Sequence, residues 1–161
     1  MPSISEFWQV TDDACRAYES ALQTTLSRAR WRSLLNPSIR ASVVFTMASR
    51  ASRSHVLWRN WAVRSFSSDV SKGAHFDGPP ILPHPIGIVV GRGTRVGRDV
   101  TLYQNVTLGT DASGRYPKVG DGTIIYTNAV VYGGVKLTAG TRIRAAAVVG
   151  PAPLHGVPDT R

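Results

Sequence analysis

Few side chains in this sequence can do acid–base or nucleophilic chemistry near neutral pH. They are four histidines (His55, His75, His84 and His155) and one cysteine, Cys15. A lone cysteine excludes a disulfide framework and a cysteine-built zinc site, and no metal is expected. An imidazole titrates near pH 6.5 and suits the removal of a proton from a hydroxyl as it attacks. By itself an isolated histidine is more often structural than catalytic. His84 is set apart by its place in a repeat, whereas His55 lies in a helical stretch, His75 in a junction and His155 in the tail. Counting by six from His84 gives Val90, Val96, Leu102 and Leu108. The phase then slips, and the count resumes through Val119, Ile125, Val131, Leu137, Ile143 and Val149.

The repeat tells what must position such a residue. Six is neither the helical period of 3.6 nor the strand period of two. It means a short strand plus a turn, repeated, with three units closing a coil of roughly eighteen residues. Two residues before each aliphatic position sits a small or β-branched side chain, from Ile88 and Thr94 to Thr141 and Ala147. Three residues after it come corner formers such as Asp99, Asn105, Gly122, Asn128 and Gly140. Stacked coils pair their backbones at about 4.8 Å and bury the aliphatic column. The expected fold is mainly β: a parallel β-helix of about four coils over residues 82–150, preceded by an α-helical segment. The slip between Leu108 and Val119 adds five residues and predicts an extruded loop at 109–117, a good place for a site.

Upstream the composition changes. Every glycine lies at or after Gly73 and every tryptophan before it. Residues 1–72 read as helices, 73–81 as a junction and 151–161 as a tail. A first helix is expected with Thr11 as its cap and Ala14, Tyr18, Leu22, Leu26 and Ala29 as its apolar stripe. Asn36–Pro37 predicts a second start, with Ile39, Val43 and Met47 on one face. A third helix runs through Leu57, Trp58, Trp61 and Phe66, aromatics that suit packing rather than a ligand box.

The net charge is +9, and sixteen of the nineteen basic residues are arginine. That balance suits phosphate-bearing ligands, but no nucleic-acid motif is present, so neither nucleic acid nor membrane is expected as a partner. No apolar run is long enough to span a bilayer. The opening residues lack a basic segment followed by an apolar one, and the expected location is cytoplasmic.

Three stretches carry a family resemblance: His84-Pro-Ile-Gly-Ile-Val-Val-Gly91, Leu102-Tyr-Gln-Asn-Val-Thr-Leu-Gly109 and Arg115-Tyr-Pro-Lys-Val-Gly120. They resemble the serine acetyltransferases of the left-handed β-helix acyltransferases. The resemblance implies the left hand of the helix, against the general right-handedness of parallel crossovers. It implies acetyl transfer from acetyl-CoA to the hydroxyl of L-serine, with His84 as general base. By the same resemblance Arg115 would bind the acceptor, and Tyr116 beside it would either hydrogen-bond the acceptor or simply cover the site. Gly109 would offer its N–H to the thioester oxygen, and CoA would lie near Thr127, Arg142 and Ala145. The implied assembly is a homotrimer, or a dimer of trimers joined through the helical segment. Two departures matter. Pro83 stands where the family has Asp, which leaves Asp77, Asp111 or a backbone carbonyl to orient His84. Tyr116 stands where the family has a second His. The Leu-Pro-His-Pro pattern also resembles short members tied to polysaccharide or tailoring pathways, which makes a sugar hydroxyl the alternative acceptor. A scaffold that has lost catalysis is the third reading. The tail resembles a shortened form of the family's, and neither feedback regulation nor partner binding through it is expected.

Overall fold

A computed structural model describes residues 3–22, 35–50 and 53–151. Three helices come first: α1 (Ile4–Leu22), α2 (Pro37–Arg50) and α3 (His55–Phe66). The start of α1 corrects the expectation for Thr11. Ser3 accepts the Glu6 amide at 3.1 Å, the serine-to-glutamate spacing of a capping box. Thr11 is instead buried about two turns further in and donates its hydroxyl to the Phe7 carbonyl at 2.9 Å. The expected start at Asn36–Pro37 is present, with Asn36 Oδ1 accepting the Ser38 amide at 2.9 Å. Leu26 and Ala29 lie outside the described residues.

The rest is a three-faced parallel β-helix. The first face stacks β1 (Asp69–Val70), β3 (Val89–Val90), β6 (Thr107–Gly109), β9 (Val130–Tyr132) and β12 (Val148–Val149). The second stacks β2 (His75–Phe76), β4 (Arg95–Val96), β7 (Lys118–Val119) and β10 (Lys136–Leu137). The third stacks β5 (Thr101–Leu102), β8 (Ile124–Ile125) and β11 (Arg142–Ile143), with Ile81 bridged above Thr101. Successive coils pair in register, as in Val90 on Leu108 on Val131 on Val149.

This register moves the start of the β-helix. It begins at Asp69, inside the stretch read as helical segment and junction, because Val70, Phe76 and Leu82 already carry the six-residue count. All three are buried, at no more than 1% exposure. His84 is not part of that column, which corrects the sequence count. The inward residue of its unit is Leu82, and Val90 follows eight residues later. Two residues are therefore added at the corner between the third and first faces of the first coil. The second slip, the five-residue one, lies between β6 and β7, at the corner between the first and second faces of the third coil.

The helices close the upper end of the stack. Val44, Phe45 and Ala48 of α2 and Ala62 and Phe66 of α3 join Val70, Ala74 and Phe76 in one apolar core that continues down to Ile143. Full burial of each valine or phenylalanine side chain there contributes roughly 1.5–3 kcal/mol, and of each alanine less. A second cluster packs Val10, Ala14 and Tyr18 of α1 on Ile39, Val43 and Met47 of α2.

Candidate active site

His84 sits on the short corner insertion between two prolines. Proline fixes its own φ and biases the preceding residue towards extended backbone, so the chain around His84 has little freedom. The cap removes more. Ser38 Oγ donates to the Pro83 carbonyl at 3.1 Å. The Ile86 amide donates to the His84 carbonyl at 2.8 Å. Ser68 Oγ donates to the Pro85 carbonyl at 3.3 Å, and Gly87 N–H donates to the Phe66 carbonyl at 3.2 Å. The Leu82 amide donates to the hydroxyl of Tyr18, whose own ionisation is pushed up by burial. The imidazole itself is exposed.

Its ring lies beside Tyr103, the first of two stacked tyrosines that the sequence reading did not single out. The His84 and Tyr103 centroids are 6.3 Å apart with their planes tilted by 53°, and Tyr103 stacks on Tyr126 at 5.2 Å. Both tyrosines immediately follow inward residues, Leu102 and Ile125, so they share one corner of successive coils. The spacing of twenty-three, one coil plus the five inserted residues, is the signal that could have found them.

The missing carboxylate has no replacement among the two acids named from sequence. Asp77 is 3.0 Å from His75 Nε2, and Asp111 is held by Arg115. Among the described residues no hydrogen bond reaches the His84 imidazole. A third acid, Asp69, lies on the first face just beyond the His84 corner, its amide bonded to the Ile88 carbonyl. Arg59 of α3 grips it through Nε at 2.6 Å and Nη2 at 2.7 Å. That hydrogen bonding, more than the charge alone, holds the Asp69 carboxyl below the ordinary range.

The long insertion is organised around Asp111. Its Oδ1 accepts the amides of Ser113 and Arg115 at 2.9 and 3.0 Å, and its Oδ2 accepts Arg115 Nε at 3.0 Å. The Arg115 amide and then its guanidinium, with the Ser113 amide, keep Asp111 below the usual carboxylate range. Arg115 remains half exposed, at 54%. Its guanidinium has five N–H donors, and those not turned to Asp111 are available to an anion. Tyr116 lies flat over Gly91 and Gly93: a β-carbon on either glycine would meet its ring at 2.5 Å. Gly109 differs from those two. A β-carbon there would meet nothing closer than 3.8 Å, and its φ is not positive, so folding alone does not demand glycine at this position.

The remaining candidates sit with His84 rather than with the loop. Thr127 and Ala145 lie at the corner between the third and first faces, in the third and fourth coils. Arg142 opens β11 on the third face, and both Arg142 and the neighbouring Arg144 are exposed. The His84 corner and the Arg115 loop thus occupy different corners of the prism, separated by the width of the first face. One chain does not bring them together.

No family model matches the chain. It is 40% identical over 84 residues, half of its own length, to a serine acetyltransferase of Mycobacterium tuberculosis, covering 37% of that protein. It is 34% identical over 94 residues to the Bacillus subtilis serine acetyltransferase, covering 42% of it. The chain spans about two-fifths of the length of these curated relatives. In fold the likeness runs further. A serine acetyltransferase structure from Neisseria gonorrhoeae matches 97% of this chain and 66% of its own, with a TM-score of 0.74 and 21% identity. A serine acetyltransferase solved with CoA matches 96% of this chain and 72% of its own, again at 0.74, with 24% identity. The shared architecture is a left-handed parallel β-helix under a helical cap. In sequence over half its length, and in fold over nearly all of it, the chain is similar to the serine acetyltransferases.

Proposed function

We propose that the chain is an acetyl-CoA-dependent O-acetyltransferase and that its acceptor is L-serine. The observation that carries this reading is the His84 corner. Two residues added to an otherwise regular coil push out one imidazole, and the backbone on either side of it is tied down. A histidine kept only for packing has no need of such a corner. In the reaction His84 takes the proton of the acceptor hydroxyl as the oxygen attacks the thioester carbonyl. The carbon–sulfur bond then breaks, and CoA leaves with a proton. A backbone N–H of the long loop is the candidate donor to the carbonyl oxygen as it gathers charge, a contribution of roughly 3 kcal/mol for a well-placed donor, because the Gly109 N–H lies in the ladder that pairs Gly109 with Tyr132. Arg142 serves the phosphates of CoA, with Thr127 and Ala145 lining the approach.

The same reading needs more than one chain. Cyclic symmetry sets the His84 corner of one copy beside the Arg115 loop of the next, so the functional unit is a homotrimer. In it Arg115 would hold the serine carboxylate, and Tyr116 would fix the loop's base rather than reach the acceptor. A sugar acceptor is the second reading, favoured by the tyrosine pair beside His84 and by proline in place of the usual aspartate. Release of CoA from acetyl-CoA, measured with serine, homoserine, sugars and amino sugars, separates the two. Turnover with serine alone supports the first reading, turnover with a sugar and not serine supports the second, and no turnover with any acceptor overturns both.

A further inference from the structure

We propose that the helical cap carries a docking surface for an anionic lipid membrane. Between Glu19 and Asp69 the sequence has eight arginines and neither Asp nor Glu. The most basic stretch of the chain therefore lies in the cap, after the four acids of α1 (Glu6, Asp12, Asp13 and Glu19). The cap is also the most apolar on its outside. Of the nine large apolar side chains exposed among the described residues, six belong to it.

These features meet at one place. A groove of about 400 Å³ runs between the first turns of α1 and α3, lined by Ile4, Phe7, Met47, Leu57, Trp58 and Trp61. Its rim is open: Ile4 is 79% exposed, Leu57 62% and Trp61 41%. The aromatic floor is continuous, with Phe7 stacked on Trp58 and Trp58 on Trp61. Leu57, Trp61 and Arg64 follow at spacings of four and three, which puts them on one face of α3. Arg53 is exposed just ahead of that helix and Arg64 near its end. In the first turns of α1 and α3, which form the rim, the one carboxylate is Glu6; Asp12, Asp13 and Glu19 lie further along α1. Arg59, by contrast, is turned to Asp69 and does not count towards the surface.

An apolar ridge with a tryptophan, flanked by arginines, is what an interfacial surface needs. The aliphatic side chains enter the acyl boundary, the indole sits at headgroup depth, and the guanidiniums meet lipid phosphate. Anionic lipid adds attraction for each nearby cation. Two other occupants fit less well. A second copy of the chain, meeting this face through a two-fold axis, would set like against like and bring arginine towards arginine. Nucleic acid would satisfy the arginines but leave Ile4, Leu57 and Val56 against phosphate. A surface contact of this kind reverses the expectation of no membrane partner. It requires no spanning segment, and no helix among the described residues is long and apolar enough to cross a bilayer.

The test is co-sedimentation of the purified full chain with vesicles of phosphatidylcholine alone or with about one-third phosphatidylglycerol. The expected result is binding to the anionic vesicles at least tenfold tighter than to the neutral ones, weakened several-fold between 0.1 and 0.5 M salt. The double variant Leu57→Gln/Trp61→Ser should lose about tenfold in vesicle affinity with its melting temperature unchanged. Arg53→Gln/Arg64→Gln should lose the preference for anionic vesicles. Three results would overturn the proposal: no binding to either vesicle; a hexamer in light scattering that Leu57→Gln/Trp61→Ser splits to trimers; or binding to duplex DNA that the apolar variant leaves intact while vesicles are ignored.

Discussion

The two insertions in the β-helix are opposite solutions to one problem. Each interrupts the six-residue phase at a corner, and each presents a polar side chain to solvent. The short one, at His84, is held from outside, by Ser38 of α2, by Ser68 beyond α3 and by Gly87 on Phe66. The long one, at 110–117, is held from inside, by the Asp111 carboxylate accepting two amides and a guanidinium of its own loop. It is anchored to an earlier coil by the Tyr116 ring over Gly91 and Gly93 and by the Arg95 amide, which donates to the Pro117 carbonyl at 3.2 Å. On the proposed function, a general base gains from a rigid seat borrowed from the core, whereas a loop that holds the acceptor can carry its own small fold and leave the stack undisturbed.

The largest expected effect tests the first half of that contrast. His84→Ala should lower kcat by roughly 10²- to 10⁴-fold, the usual contribution of a general base, with an unchanged thermal melt. Near-full turnover in this variant would remove the short corner from the chemistry.

Next comes the loop. Arg115→Ala should raise KM for serine about 10- to 150-fold, the equivalent of a charge-assisted hydrogen bond of roughly 1.5–3 kcal/mol. KM for acetyl-CoA should barely move. Michaelis curves for both substrates on this one variant decide the matter, and an unchanged serine KM beside sugar turnover would favour the second acceptor.

Excising Thr110–Gly114 restores the six-residue spacing from Leu108 to Val119. If the loop is self-contained, the shortened chain should still fold, with circular dichroism unchanged, while acetyl transfer is lost. Failure to fold would show that the long insertion, too, is part of the stack.

A smaller effect is expected at the seat of His84. Ser38→Ala removes one bond to the Pro83 carbonyl and should cost about 1 kcal/mol, or about 2–4 °C in Tm for a chain of this size. Activity should fall further than that loss of stability accounts for.

The smallest concerns Arg59 and Asp69. An exposed pair contributes up to about 1 kcal/mol. Asp69 has its folded pKa depressed, so the contribution is present above the ordinary carboxylate pKa near 3.9. It is lost as pH falls through the lower folded value. Arg59→Gln should therefore lower Tm slightly at pH 7 and not at all at strongly acid pH. A difference that persists in acid would mean the arginine acts through packing instead.

What the sequence made legible follows the same division. The inward column and its αL corners are local in sequence, and Val90 to Ile143 stand where the period puts them. The first slip was hidden because counting from His84 passed over Val70, Phe76 and Leu82. The lack of glycine before residue 73 made that stretch look helical. Thr11 drew attention from Ser3 because both are plausible caps, and only the Glu6 amide decides between them. The contacts that seat His84 span separations of 17 to 64 residues, which no period announces. The placement of Tyr116 over Gly91 and Gly93 depends on coils stacking across the inserted loop. Neither kind of contact has a local signature.

One corner also bears on how such a protein changes length over generations. Gly87, Asn105, Asn128 and Ala146 all have positive φ, between 56° and 70°, and stack above one another. Asn105 Nδ2 donates to Asn128 Oδ1 at 3.0 Å. At the top, a β-carbon on Gly87 would meet Asn105 Oδ1 at 2.1 Å. The ladder therefore has a finished end and an extendable one. A duplicated coil entering below Asn128 repeats contacts already present, whereas one entering above Gly87 would break both the glycine's fit and the seat of His84. An added coil is accordingly accommodated at the lower end of the stack and not at the Gly87 end.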